Sequence, residues 1–135
     1  LVKKYFEDHR YTQTVVQEIW IEQSLQSFRS GFSSAKTLST LSRFNGVVSW
    51  IAYKAYGVEP KYVAASSARK LSGVTIKRGE KAKEKVLKYL LDNEPRFSVE
   101  YTKHGNPRPG YYDRADSLIV AMAARELWKQ KNLAS

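Results

Sequence analysis

Three acids in this chain sit where carboxylates can do chemistry. Glu22 closes the apolar segment Glu18-Ile19-Trp20-Ile21-Glu22-Gln23, and Asp113 and Asp116 open a second one in Tyr111-Tyr112-Asp113-Arg114-Ala115-Asp116-Ser117-Leu118. A carboxylate at a strand end, facing a pair at a helix start, can hold a divalent cation beside a phosphate, because hard cations take oxygen ligands and share them with phosphate groups. The rest of the chain is poor in acids, with 13 Asp and Glu against 23 Lys and Arg. An acidic spot on a basic chain is suited to metal-assisted cleavage of phosphodiesters. Each acid also has a plainer reading. Glu22 can be a strand-end residue that is solvated or paired with an Arg. Asp113 can be an N-cap and Asp116 a first-turn acid favoured by the helix dipole, a spacing close to that of a capping box. For the Asp pair the two readings are compatible, since residues three apart share one helical face.

A second set of residues could grip phosphates: Arg69, Lys70, Lys77, Arg78, Lys81, Lys83 and Lys85. Phosphate contacts position a nucleic acid, and a Lys close to a metal site can stabilise developing charge. The same run also reads as a solvated helix face, in which Glu84 precedes Lys88 by four and can pair with it. Between residues 94 and 112 lie Phe97, Tyr101, Tyr111, Tyr112 and His104, rings on which unpaired bases could stack. A packed loop explains them equally well.

These groups need elements to position them. Residues 15–23 read as a strand rich in β-branched residues, with Ile19 and Ile21 on one face and Trp20 and Glu22 on the other. A helix is predicted over 35–56, with Leu38, Leu41, Val48, Ile51, Ala52 and Ala55 as its apolar stripe, Ser33 or Ser34 as its cap and Gly57 as its stop. Gly46 in the middle of that helix costs up to ~1 kcal/mol against Ala, which close packing against another backbone, such as a second subunit, would offset. A short strand follows at 62–65, then a helical turn at 68–71 capped by Ser66 or Ser67, then a helix through Ala82, Val86, Leu87, Leu90 and Leu91 to Asn93. The last helix is predicted over 113–132. Residues 1–10 have the spacing of an amphipathic helix, and 23–34 read as a polar loop. Helix and strand alternate, which implies an α/β layer with parallel strands. Two strands make a poor sheet, so further strands are expected from elsewhere in the protein or from another chain.

Composition narrows the field. At 135 residues the chain is read as one domain, and its 42% hydrophobic content excludes a disordered chain. With no cysteine it can form neither disulfides nor thiolate metal sites. No apolar run approaches the ~20 residues that span a bilayer, and no long helix pairs a broad apolar face with a basic one, so a membrane partner is not expected. The net charge of +10 favours a polyanion, nucleic acid first, although charge also serves solubility. The chain begins at Leu rather than Met, and its natural start is expected elsewhere.

Taken together, these pieces resemble the RuvC-like Holliday-junction resolvases of the RNase H-like superfamily, over nearly the whole chain. Ile21-Glu22-Gln23 after an apolar strand looks like the family's second acidic motif. Phe28-Arg29-Ser30-Gly31 is similar to its mitochondrial and phage branches. Residues 66–86 resemble the family segment with a basic residue, a Gly-containing turn and a Lys-bearing helix. Asp113-Arg114-Ala115-Asp116-Ser117-Leu118 looks like the terminal D-x-x-D motif. The resemblance implies an α/β, RNase H-like fold in a single nuclease domain over 1–135. That domain would lack the N-terminal three-stranded meander, which carries a fourth metal-binding Asp in the family, so this chain alone could be inactive. It implies a structure-selective DNA endonuclease that resolves four-way junctions, with Glu22, Asp113 and Asp116 holding Mg2+, or Mn2+ in its place. It makes Lys70 and Lys83 the family's two functional lysines, Lys83 in the catalytic site, with Lys81 or Lys85 as alternatives for Lys83 in register. Arg29, Lys70, Lys77, Arg78, Lys81, Lys83 and Lys85 would contact branched DNA. It also implies a homodimer, with the 35–56 helix as the candidate interface, and a bacterial or phage cytoplasm ahead of a mitochondrial setting. Two other readings stand beside it: an RNase H-like nuclease acting on RNA–DNA hybrids or flaps, and a non-catalytic DNA-binding module of the same fold.

Overall fold

The computed structural model describes residues 15–23 and 35–134. Among these are two strands, β1 (Trp20–Glu22) and β2 (Lys61–Val63), and four helices: α1 (Ala35–Tyr56), α2 (Ala65–Ser72), α3 (Ala82–Asn93) and α4 (Tyr111–Leu133). The chain groups into two compact units, Leu1–Ala64 and Ala65–Ser135. The expected helix at 1–10, the loop at 24–34 and the caps Ser33 and Ser34 lie outside the described residues. No helix among the described residues is long and apolar enough to cross a membrane.

In the first unit β1 and β2 pair in parallel, with Trp20 opposite Lys61, Ile21 opposite Tyr62 and Glu22 opposite Val63. Parallel strands need a crossover, and α1 lies between the two in sequence, as alternation predicts. Hydrogen bonds from Lys61 N to the Ile19 carbonyl and from Gln23 N to the Val63 carbonyl, each 2.8 Å, frame the ladder. The strand is shorter than the nine residues expected, because its partner offers only three. Helix α1 has the predicted bounds. It stops at Gly57, whose φ of +68° is left-handed and whose N–H reaches the Tyr53 carbonyl at 2.8 Å.

The second unit is a small helical core. Ala115, Ile119 and Ala123 recur every four residues on α4 and are buried together with Val120. The small residues let Ala68 and Ser72 of α2 come close, while α3 contributes Val86, Leu87 and Leu90. This packing corrects the sequence reading of α2. The brief turn expected at 68–71 is a full eight-residue helix, and Ser66 and Ser67 lie inside its first turn rather than capping it. Tertiary burial of Ala68 and Ser72 outweighs the weak helix propensity of the serines. The helix ends in a Schellman motif: Val74 N bonds the Arg69 carbonyl at 2.9 Å, and Gly73 N bonds the Lys70 carbonyl at 3.2 Å. Gly73 has a φ of +89°, and a Cβ there would meet the Tyr89 hydroxyl at 3.2 Å. That hydroxyl donates to the Ser72 carbonyl at 2.8 Å, and Ser72 Oγ donates to the Ile119 carbonyl at 3.0 Å. One serine therefore links α2, α3 and α4.

Candidate metal and phosphate site

The second unit gathers charged side chains at the start of α4. The helix is capped by Gly110, with φ +90° and no side-chain cap bond. Asp113 is thus the third residue of the helix and not its N-cap, a correction to the capping reading. Its carboxylate still gains from the helix dipole there, since the first-turn N–H groups carry partial positive charge. Asp113 is exposed, and Asp116, one turn on, is half-buried.

The surroundings of Asp116 define the site. Burial pushes its carboxyl above the ordinary carboxylate range. The Lys83 ammonium opposes that shift, the Asp113 charge adds to it, and the Arg69 guanidinium opposes it. The charges that act on Asp116 thus come from α4 itself, from α2 and from α3. Two carboxylates one turn apart on a helix can share a divalent ion.

The structure separates the three candidate lysines at the start of α3. Lys85 Nζ lies 3.1 Å from Glu80 Oε1, and Lys81 Nζ lies 3.6 Å from Glu84 Oε1. Lys83 is the one of the three whose charge acts on Asp116. The basic run before α3 is a turn, with Gly79 at φ +86°. Lys77 N donates to Glu80 Oε2 at 2.7 Å, and Glu80 N returns a bond to the Lys77 carbonyl at 3.1 Å. The Lys77 N–H first, and then the Lys85 ammonium, hold the Glu80 carboxyl below its ordinary value. Lys77 and Arg78 are exposed on this turn. Lys70 is also exposed and, with Arg69, lines a cleft of about 370 Å3 with Ser66, Val74, Thr75 and Ile76. Two cations and two hydroxyls in one cleft suit an anion such as a phosphate.

Arg69 is the residue that sequence reasoning undervalued, placing it only within the general basic run. Its signal was the small-residue face of α2. Arg69 follows Ala65 by four and Ala68 by one, so it emerges at the flank that packs toward α4.

Glu22 belongs to the first unit. It is the last residue of β1, exposed, and its backbone carbonyl accepts from Asn45 Nδ2 at 3.0 Å. Its neighbour in sequence, Glu18, is held by the Trp20 indole at 2.9 Å and the Lys61 ammonium at 3.0 Å. Arg29 lies outside the described residues. Within either unit, no group of three or more His, Asp or Glu among the described residues could hold a metal ion. The Asp113–Asp116 pair is thus a two-carboxylate set. That set fits Mg2+, which keeps several waters and is usually bound by one or two carboxylates together with substrate phosphates.

Within the 94–110 loop, residues 100–108 double back as a tight turn. Tyr101 and Pro107 form an antiparallel bridge, Thr102 N bonds the Asn106 carbonyl at 2.7 Å, and Arg108 N bonds the Glu100 carbonyl at 2.9 Å. Lys103 and His104 sit at its exposed tip.

Comparisons with protein-family models, with curated proteins and with solved structures each return no match.

Proposed function

We propose that this chain belongs to a Mg2+-dependent, structure-selective DNA endonuclease that resolves four-way junctions, built on an RNase H-like fold. The observation that carries this reading is the half-buried Asp116, set beside Asp113 and faced by Lys83 and Arg69 on a chain of net charge +10. Asp113 and Asp116 would hold the metal, with Mn2+ as a substitute. Held there by Asp113 and Asp116, Mg2+ would supply Lewis-acid chemistry at the phosphate, lowering the pKa of a bound water and easing departure of the leaving oxygen. The chain's own residues do the rest. Lys83 and Arg69 balance the negative charge that a phosphate brings to the acid pair, and they favour its approach. Lys70, Lys77 and Arg78 hold the flanking backbone, as does the cleft beside Arg69. Hydrolysis leaves 5′-phosphate and 3′-hydroxyl ends. Paired nicks in a two-fold symmetric junction call for two matched sites and hence a homodimer. The flank of α1 that exposes Leu41, Phe44 and Val47 is apolar enough to serve as that contact.

The test is a gel assay of the intact protein with Mg2+ on a synthetic four-way junction, beside a linear duplex and an RNA–DNA hybrid. Symmetric paired nicks confined to the junction are the expected result. Cleavage of the hybrid alone would make the protein a ribonuclease of the same chemistry. Tight junction binding without a cut would leave a DNA-binding module and end the enzyme assignment.

A further inference from the structure

We infer that the first unit carries a separate binding surface for single-stranded nucleic acid, a groove between α1 and β2 in which unpaired bases stack. The groove has a volume of about 460 Å3 and lies beside Trp50, Tyr53, Pro60 and Tyr62. Its rings are held open to solvent: Trp50 is 62% exposed, Tyr62 46% and Tyr53 44%. The Trp50 and Tyr53 rings stand 6.1 Å apart and are tilted by 32°, so they form one continuous aromatic wall. Tyr62 is fixed opposite by a hydrogen bond shared with Ser49. Gly46 also lines the groove, and nothing lies within 4 Å of where its Cβ would be, so space remains above it for a flat ligand.

Charge selects the occupant. Helix α1 contains no Asp or Glu, and its cations are Lys36, Arg43 and Lys54. At 100° per residue these three fall within about 20° of one another on the helical wheel, in line with Trp50. The row extends over about 27 Å at 1.5 Å per residue. Lys54 Nζ lies 5.6 Å from the centre of the Trp50 ring, where it can turn outward to a phosphate as a base takes the ring face. A cationic row beside exposed rings is the arrangement by which single strands are held without base reading, their phosphates on the charges and their bases on the rings. An apolar peptide would gain nothing from the three cations. Glu59, on the groove wall, excludes a phosphate from that side and can accept from a base amine. The inference does not rest on the nuclease reading, since all of its residues belong to the first unit.

The experiment measures binding of the full chain to a fluorescein-labelled oligothymidylate of about 12 nucleotides, within the ~4–16 nucleotide sites of known single-strand binders. Anisotropy is read in EDTA, so that no strand is cut. W50A and Y53A are each expected to weaken binding at least about fivefold, the low end for loss of one stacked base. W50F should restore most of it, and Lys54→Gln should lower the salt slope by about 0.7. W128A, which removes an exposed Trp of the second unit, should bind like the parent. Far-UV melting confirms that the variants fold. Unchanged affinity in W50A and Y53A overturns the inference. So does a W50A variant that loses self-association and keeps its affinity, because the groove would then be a contact between copies.

Discussion

Asp116→Asn should abolish junction cleavage and at the same time stabilise the protein. The loss of cleavage should exceed ~100-fold, the upper end of what loss of a mere supporting partner of a metal ligand already produces. The gain in stability follows from the environment of the carboxyl. Burial and the Asp113 charge raise its pKa in the folded state. The folded state therefore holds the proton more tightly than the unfolded one. Stability from this group is fully present below the ordinary carboxylate value and is lost as pH rises through the raised value of the folded state. The parent should thus weaken relative to D116N on going from acid to neutral pH. At neutral pH the variant should gain within the ~0.5–2 kcal/mol common to stabilising substitutions. Mg2+ supplies a second signature. A ligand of the folded state at 100 times its Kd adds about 2.7 kcal/mol, so Mg2+ should raise the melting temperature of the parent and leave D116N little changed. Equal Mg2+ shifts in both proteins would show that the Asp pair is not the metal site.

Leu90→Ala should be the most damaging single truncation in the helical unit. Leu90 is 0% exposed and, with Val86, is one of the two largest fully buried side chains. Removing its branched end forfeits the transfer energy of the lost carbons and leaves a cavity, a cost of about 2–5 kcal/mol. Total stabilities run to only about 5–15 kcal/mol, so much of the unit would be unfolded at moderate urea. Leu91→Ala is the matched control. Leu91 is adjacent in sequence but exposed on α3, and its loss should fall within about 0.5 kcal/mol. Urea unfolding followed by helical dichroism compares the two. Similar midpoints would mean that the core does not lie where Leu90 points.

Much of the frame was legible before any coordinates. The bounds of α1 follow from its apolar stripe and a glycine stop, although Leu41 of that stripe is exposed, and α3 follows from Val86, Leu87 and Leu90 at helical spacing. Parallel pairing follows from alternation. What could not be read was set by partners distant in sequence. The two serines in α2 argue against a helix until Ala115 and Ile119 supply a surface to bury Ala68 against. The length of β1 depends on how much strand β2 offers. Asp113 resembles a cap in sequence, but the left-handed Gly110 begins the helix two residues earlier, an alternative that local spacing does not distinguish. At the site, the acid pair was visible as residue types three apart. Lys83 was named from the family resemblance with Lys81 and Lys85 as alternatives, because the three look equivalent until Glu80 and Glu84 engage two of them. Arg69 reaches Asp116 only through the packing of α2 on α4.

Ser72 sets how this helical unit opens. Its hydroxyl is bonded to α4 and its carbonyl accepts from α3, while its own helix ends one residue later. Neither α3 nor α4 can swing away from α2 without breaking a hydrogen bond at that residue, buried toward α4 and part-buried toward α3. Partial openings that free a single helix are therefore suppressed, and the backbone amides at Val74, Leu90 and Ile119 should exchange with deuterium at one common free energy. Such a common value would mark the unit as a single foldon, whose acids and cations stay in register until it unfolds as a whole.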